Sequence, residues 1–319
     1  MRIIEWNCQG AFRKKNEEIL NLNPDILIIP ECESPEKLQF GKLTPKPNDS
    51  FWYSDNGKKG IGIFSFSDFK FELLKEFNPK FRYIIPLKVT GNNGSFLLFA
   101  IWAMDNKENK AARYIGQIWL AINYYERLLN LDSILVGDYN SNQIWDEKER
   151  VGNHTDVVNK LKEYGILSLY HEQNKVAHGQ EKEHTFFMYR KLEKPYHIDY
   201  CFASQCFIQN GYKIKLGEPN QWISISDHVP LIIETCEPNK RLEFKNSLAD
   251  YIDFNFKRLD KSTREKYQNT IIGLEKRAKE SDRLNFNKES QKIRKEIIED
   301  TERLNIINKL TIELNKNVG

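Results

Sequence analysis

The 319-residue sequence has no apolar run long enough to cross a membrane; its longest are strand-length. Its opening, MRIIEWNCQG, does not read as a signal peptide, because the apolar stretch is short and Glu5 interrupts it. Cysteine is sparse. The five residues (Cys8, Cys32, Cys201, Cys206, Cys236) are odd in number, scattered, and form no C-x-x-C pair. That argues against a disulfide or zinc framework and for reduced thiols in a cytoplasmic protein. His154, His171, His178 and His184 lack metal-ligand spacing and read as loop or core histidines. Repeats and low-complexity segments are also missing.

A strong overall charge is lacking too: 48 Lys+Arg against 45 Asp+Glu gives +3. The charge is uneven. Residues 238–319 carry 19 basic and 14 acidic side chains, and residues 1–237 carry 29 and 31. A slightly acidic body does not attract nucleic acid strongly, so polyanion binding would need local clusters, metal ions or the basic tail.

What is present begins with strands. RIIEW, DILIIP, GIGIFSF, RYIIPLKV, SFLLFAIWA, SILVG, HIDYCFA and PLIIET are short, mostly β-branched or aromatic runs separated by turns. Helical patterns fall at 13–22, at 109–130 and at 155–164, where Gly165 is placed to end the last. Many strands with scattered helices predict an α/β sandwich with helices on its outer faces. Beyond Pro238 the pattern turns helical. Ser262 and Glu265 form a capping box before a run to about 280, and Asn287 is placed to cap a helix over 288–316. The expected domains are therefore 1–237 and a helical extension, 238–319, able to pack on itself, form a homodimer, dock a partner protein or bind nucleic acid.

The strands end in chemistry. Residues 134–142, ILVGDYNSN, run from buried strand into Asp138 and Asn140, which share a face if the extended backbone persists past Gly137. Taken alone, that stretch reads more simply as a strand-to-loop turn. However, RIIEWN ends in Asn7, DILIIPE in Glu31, HIDY holds His197 and Asp199 on one face, and SISDHVP brings Asp227 and His228 to the last strand. A buried carboxylate costs several kcal/mol unless paired or bound to metal. Several acids, two amides and a histidine on neighbouring strand ends describe an oxygen-rich cation site with an acid–base group beside it, suited to Mg²⁺ or Mn²⁺.

In order and spacing, WNCQG (6–10), PDILIIPE (24–31), GIGIF (60–64), GDYN (137–140), HTFF with HIDY (184–187, 197–200) and SDHVP (226–230) resemble the endonuclease/exonuclease/phosphatase superfamily, the deoxyribonuclease-I-like fold. The resemblance spans residues 1 to about 235 and implies a four-layer sandwich of two packed mixed β-sheets flanked by helices. It further implies that Glu31 ligates the metal, with Asn7 beside it and Asp227 completing the surroundings. Asp138 would orient or deprotonate the attacking water, Asn140 would position the phosphate, and His228 paired with Asp199 would touch it. Two departures stand out: Pro30 replaces the usual Gln before the metal-binding Glu, and Trp102 stands where many members carry His or Tyr. Indole is neither acid nor base, so Trp102 either stacks on a substrate or belongs to the core. Lys14, Asn142 and His197 are further candidates for substrate contact.

The expected activity is metal-dependent phosphodiester hydrolysis on DNA or RNA. The alternatives are a small phosphorylated molecule or lipid headgroup as substrate, and a non-catalytic binding protein on the same scaffold.

Overall fold

The computed structural model of the protein describes residues 1–107 and 109–238. Two six-stranded sheets face each other. One runs from edge to edge as β13 (Tyr212–Leu216), β14 (Leu231–Thr235), β1 (Arg2–Glu5), β2 (Ile26–Cys32), β4 (Gly60–Ser65) and β3 (Asp49–Tyr53). The other runs β5 (Lys70–Leu73), β6 (Ile84–Thr90), β7 (Ser95–Trp102), β8 (Ser133–Asp138), β12 (Asp199–Ser204) and β9 (Ile166–Ser168). A small hairpin pairs β10 (Phe186–Phe187) with β11 (Pro195–Tyr196). The helices are α1 (Asn16–Leu20), α2 (Pro35–Leu38), α3 (Ile115–Tyr124), α4 (His154–Glu163), α5 (Leu169–Asn174), α6 (Gln205–Gln209) and α7 (Pro219–Trp222). This is the expected sandwich of two mixed sheets with helices outside. None of these helices is long and apolar enough to cross a membrane.

Each sheet has one parallel pair, β1 with β2 and β7 with β8, and both are joined through a helical crossover as parallel strands require. These are the most continuously apolar runs because both of their faces are covered. Ile3, Ile26 and Ile28 pack between the sheets, whereas their neighbours Ile4, Leu27 and Ile29 pack into the layer outside. The remaining pairs are antiparallel. β12 therefore starts beside the end of β8, and β14 starts beside the end of β1. That wiring brings five separated segments to one edge of the sandwich.

Some expected elements are shorter. The 109–130 helix is α3 alone, flanked by 3-10 turns at Lys110–Ala112 and Glu126–Asn130. The 13–22 helix is a 3-10 turn, Phe12–Lys14, followed by α1. Gly165 follows α4 at φ +68, the left-handed conformation expected of a helix-ending glycine. The unpredicted strands β3, β5, β9 and β13 all lie at sheet edges. The expected helical extension lies outside the described residues, apart from Pro238.

Candidate active site

Asp138 closes β8 and lies in register with Asp199, which opens β12, and with Trp102 at the end of β7. Gly137 permits this approach. A Cβ there would sit 1.9 Å from the Ile101 carbonyl oxygen, so only glycine lets β7 pass so close. The extended backbone does not persist to Asn140 as expected. Asn140 adopts φ +47, a left-handed turn that asparagine tolerates, and the turn folds its amide back onto the aspartate. Asn140 Nδ2 donates to Asp138 Oδ2 at 2.9 Å and to the Ala103 carbonyl at 3.0 Å, and its backbone N–H donates to Asp138 Oδ1 at 2.8 Å. Asn7 Nδ2 donates to the same Asp138 Oδ2 at 2.9 Å.

Asp199 is fully buried and accepts from His228 Nδ1 at 2.9 and 3.1 Å, with its own backbone N–H donating to Thr185 Oγ1. Since Nδ1 is committed to Asp199, Nε2 is the nitrogen of His228 left for chemistry. The main chain fixes the imidazole: Ser226 Oγ accepts the His228 N–H and donates to the Asn7 carbonyl, and Trp6 Nε1 donates to the His228 carbonyl. Phe186 packs on the ring, centroids 4.8 Å apart.

Burial, and then the Asp199 charge, lift the Asp138 carboxyl to about 7, against smaller opposing effects from His228 and the Asn7 and Asn140 hydrogen bonds. Burial would lower His228, but the Asp199 charge and hydrogen bond override it and bring the imidazole to about 9. At neutral pH the site thus couples a carboxylate near its midpoint to a protonated histidine.

Glu31 stands at a register shift in the β2–β4 pairing, at φ +60, a costly conformation for a glutamate. The distortion aims its carboxylate at Asn7 Nδ2, 3.4 Å away, and at Lys59 Nζ, 2.6 Å away. Asn7 Oδ1 accepts the Gln9 N–H, and Gln9 Nε2 donates to Asp227 Oδ2 at 2.7 Å. Glu31 and Asp227 carry the hard oxygen donors that a small divalent cation takes, and Asn7 links them, its amide nitrogen toward Glu31 and its amide oxygen on the N–H of Gln9, whose side chain reaches Asp227. The Lys59 ammonium against Glu31 shows that this carboxylate already draws positive charge. Asp138, Asp199 and His228 present ligand atoms within 4.8 Å of one another, which is a second candidate cluster at the same edge.

The structure therefore brings together Asn7, Glu31, Asp138, Asn140, Asp199, Asp227 and His228. It places the remaining candidates elsewhere. Trp102 is buried between the sheets with its ring 4.7 Å from Tyr83. Lys14 is exposed on its 3-10 turn. Asn142 and His197 are buried in a separate histidine cluster: Asn142 Nδ2 donates to the His197 carbonyl at 2.9 Å, and His197 Nδ1 lies 2.8 Å from the Glu183 carbonyl.

Sequence reasoning missed Gln9, Lys59, Thr185 and Arg190. Arg190, at φ +57, donates to Gln9 Oε1 and to the carbonyls of Ser224 and Ile225. Gln9 stood inside WNCQG and Lys59 beside GIGIF; Arg190 gave no signal. Glu5 was also missed. It is fully buried with neither carboxylate oxygen hydrogen-bonded, and burial followed by Asp199 and Asp138 raises its pKa well above the usual range.

No family model matches the sequence, and none of the curated proteins matches it significantly. Solved structures do match. An AP endonuclease from Archaeoglobus fulgidus superimposes with a TM-score of 0.53 at 16% identity, over 74% of this chain and 100% of that one. The catalytic domain of Xenopus laevis APE2 gives 0.53 at 14% identity, over 75% and 95% of the two chains. A 3′ phosphatase from Neisseria, bound to product DNA hairpin, gives 0.51 at 16% identity, over 74% and 100%. The chain shares the fold of these structures, a deoxyribonuclease-I-like sandwich of two mixed sheets flanked by helices.

Proposed function

We propose that the protein is a divalent-metal-dependent phosphodiester hydrolase acting on DNA or RNA. The observation that carries this reading is the Asp138 carboxylate, held by two asparagine amides directly beside the Asp199–His228 pair. Hydrolysing a phosphodiester requires charge neutralisation on the phosphoryl oxygens and a water aligned in line. Asp138, near its midpoint at neutral pH, orients the water and takes its proton. Protonated His228, oriented by Asp199, places positive charge on the scissile phosphate. Asn7 and Asn140 fix Asp138 through their amide N–H groups. Glu31, Asn7 and Asp227 would hold Mg²⁺ or Mn²⁺, which when bound supplies Lewis-acid neutralisation of the phosphate.

Nucleic acid is the favoured substrate because exposed aromatic and basic groups lie on the segments that follow the GDYN turn and strand β10. Tyr189 is 74% exposed, with Lys194 Nζ 5.2 Å from its ring centroid, and its neighbour Arg190 reaches Gln9. Trp145 is exposed and packs 5.2 Å from Tyr196. Such rings offer stacking platforms to unpaired bases. The Neisseria neighbour is a 3′ phosphatase bound to product DNA hairpin and the Archaeoglobus one an AP endonuclease, in keeping with this reading. The buried Trp102 contributes no stacking surface, which keeps a small phosphoester as the second reading.

The test is cleavage of labelled single- and double-stranded DNA and RNA with Mg²⁺, Mn²⁺ or EDTA, beside Asp138→Ala. Metal-dependent cleavage lost in the variant supports the proposal and identifies the polymer. Protein that binds metal but cuts none of them is redirected to small phosphoesters; protein that binds no metal is a non-catalytic relative. Deleting 240–319 in the same assay separates tail-assisted binding from the chemistry.

A further inference from the structure

Behind the GDYN turn, side chains from three parts of the chain converge on one small volume. His154 opens α4, His171 lies in α5, and His178 and Glu181 belong to the loop between α5 and β10. Ligand atoms of His171, His178 and Glu181 all lie within 4.8 Å of one another. His171 Nε2 is 3.0 Å from Glu181 Oε1, and His154 Nε2 is 3.0 Å from His178 Nδ1. The His171 and His178 rings stack, centroids 3.5 Å apart.

Two features mark this as more than packing. Imidazoles are rarely massed out of water without a charge to serve, because each carries a polar atom that needs a partner. The neighbouring His197 leaves Nε2 buried with no partner at all, its ring 6.0 Å from that of His171. The candidate ligands are also oriented from behind as metal ligands are. His171 Nδ1 sits 2.7 Å from Ser168 Oγ, and Asn142 Nδ2 donates to Glu181 Oε2 at 3.2 Å.

We propose that this cluster is a structural metal site of the zinc class, with His171, His178 and Glu181 as ligands and His154 on α4 holding the His178 ring from behind. Imidazole with one carboxylate suits Zn²⁺; the all-oxygen set at Glu31 suits Mg²⁺. The two sites therefore select different ions. The metal fastens the α5–β10 loop to α4 and α5. That loop ends at Thr185, whose Oγ1 accepts the backbone N–H groups of Ile198 and Asp199. The loop's order thus supports the base of the Asp199–His228 pair. The proposal does not depend on the hydrolytic reading.

The test uses full-length protein without a histidine tag, stripped with chelator and saturated with Mg²⁺. Zinc retained after dialysis is measured by elemental analysis, and Co²⁺ is titrated in as a visible probe of nitrogen ligation. The expected result is about one Zn²⁺ or Co²⁺ per chain and a melting temperature that rises with zinc. His178→Ala and the near-isosteric Glu181→Gln should each weaken binding at least about tenfold, and Glu31→Gln should leave it intact. Folded wild-type protein that holds no stoichiometric Zn²⁺ and develops no Co²⁺ spectrum overturns the proposal. So does binding that folded Glu181→Gln protein keeps in full, or a melting temperature indifferent to zinc. Those results would make the cluster a hydrogen-bonded histidine stack.

Discussion

Asp138 and Asp199 oppose each other directly in the antiparallel pairing of β8 with β12, and both are shielded from water. Like charges at directly opposed positions destabilise a sheet. The fold compensates each carboxylate separately, with amide N–H groups on Asp138 and His228 on Asp199. Asp138→Asn keeps the shape and removes one charge. Hydrolysis is expected to fall by about 10²–10⁴, the usual contribution of a general base. Because the folded pKa of Asp138 is raised, the wild type loses stability as pH climbs from the unfolded value, about 4, through about 7. The variant lacks that loss. Its melting temperature relative to wild type should therefore rise over this interval in metal-free buffer; parallel curves would show that Asp138 ionises normally.

His228 sets the other limit. Its folded pKa of about 9 exceeds the free value, so its stabilising charge is complete below about 6.5 and is lost as pH rises through 9. Hydrolysis needs Asp138 deprotonated and His228 protonated. A bell-shaped kcat/KM profile follows, with its alkaline limb near 9, and a bound cation should draw the acid limb below 7. His228→Gln should abolish the alkaline limb as well as most of the rate. An alkaline limb that persists in that variant assigns it to another group.

How far the sequence could be read follows from what each residue's partners are. Strand ends were legible because β1, β2, β7, β8, β12 and β14 are apolar runs interrupted by a polar residue, and burial makes such an interruption meaningful. Edge strands were not: β5 (KFEL) is mostly exposed, and β13 (YKIKL) alternates over only five residues. Trp102 could be named but not placed, since core and substrate-facing indoles look alike in a sequence. Lys59 and Arg190 act through hydrogen bonds to residues 28 and 181 positions away, a relation no local pattern carries. The histidine cluster failed to register for the same reason. Its members sit on α4, α5 and a loop without the short spacings that mark a metal motif, and only the packing of those elements brings them together.

Gly137 is required by space rather than by turn chemistry. The Cβ of Gly137→Ala would meet Ile101 O at 1.9 Å and its carbonyl carbon at 2.6 Å, both backbone atoms of the paired strand β7. Neither can move without breaking the β7–β8 ladder that positions Asp138. Overpacking of this kind costs about 1–3 kcal/mol, and backbone strain adds to it. Chemical denaturation should show a midpoint shift of that size or greater, with activity lost even in the protein that remains folded. A variant of wild-type stability would mean that β7 and β8 can separate locally at no cost.

Lys59 and Glu31 make the last prediction. The ammonium lies 2.6 Å from Glu31 Oε2, and both side chains are partly exposed, so the pair contributes no more than about 1 kcal/mol. A divalent cation that binds Glu31 must displace this ammonium or share the carboxylate with it. Lys59→Met should therefore leave the melting temperature nearly unchanged and tighten Mn²⁺ binding, by up to about fivefold for 1 kcal/mol, as read by titration calorimetry. If Lys59 instead recognises the substrate phosphate, the same variant will raise KM for the polymer while metal affinity improves, because the two roles fall on different equilibria. Weaker metal binding in Lys59→Met would mean that the ammonium holds Glu31 in its binding geometry, and would place the strained φ of Glu31 under the control of its ion pair.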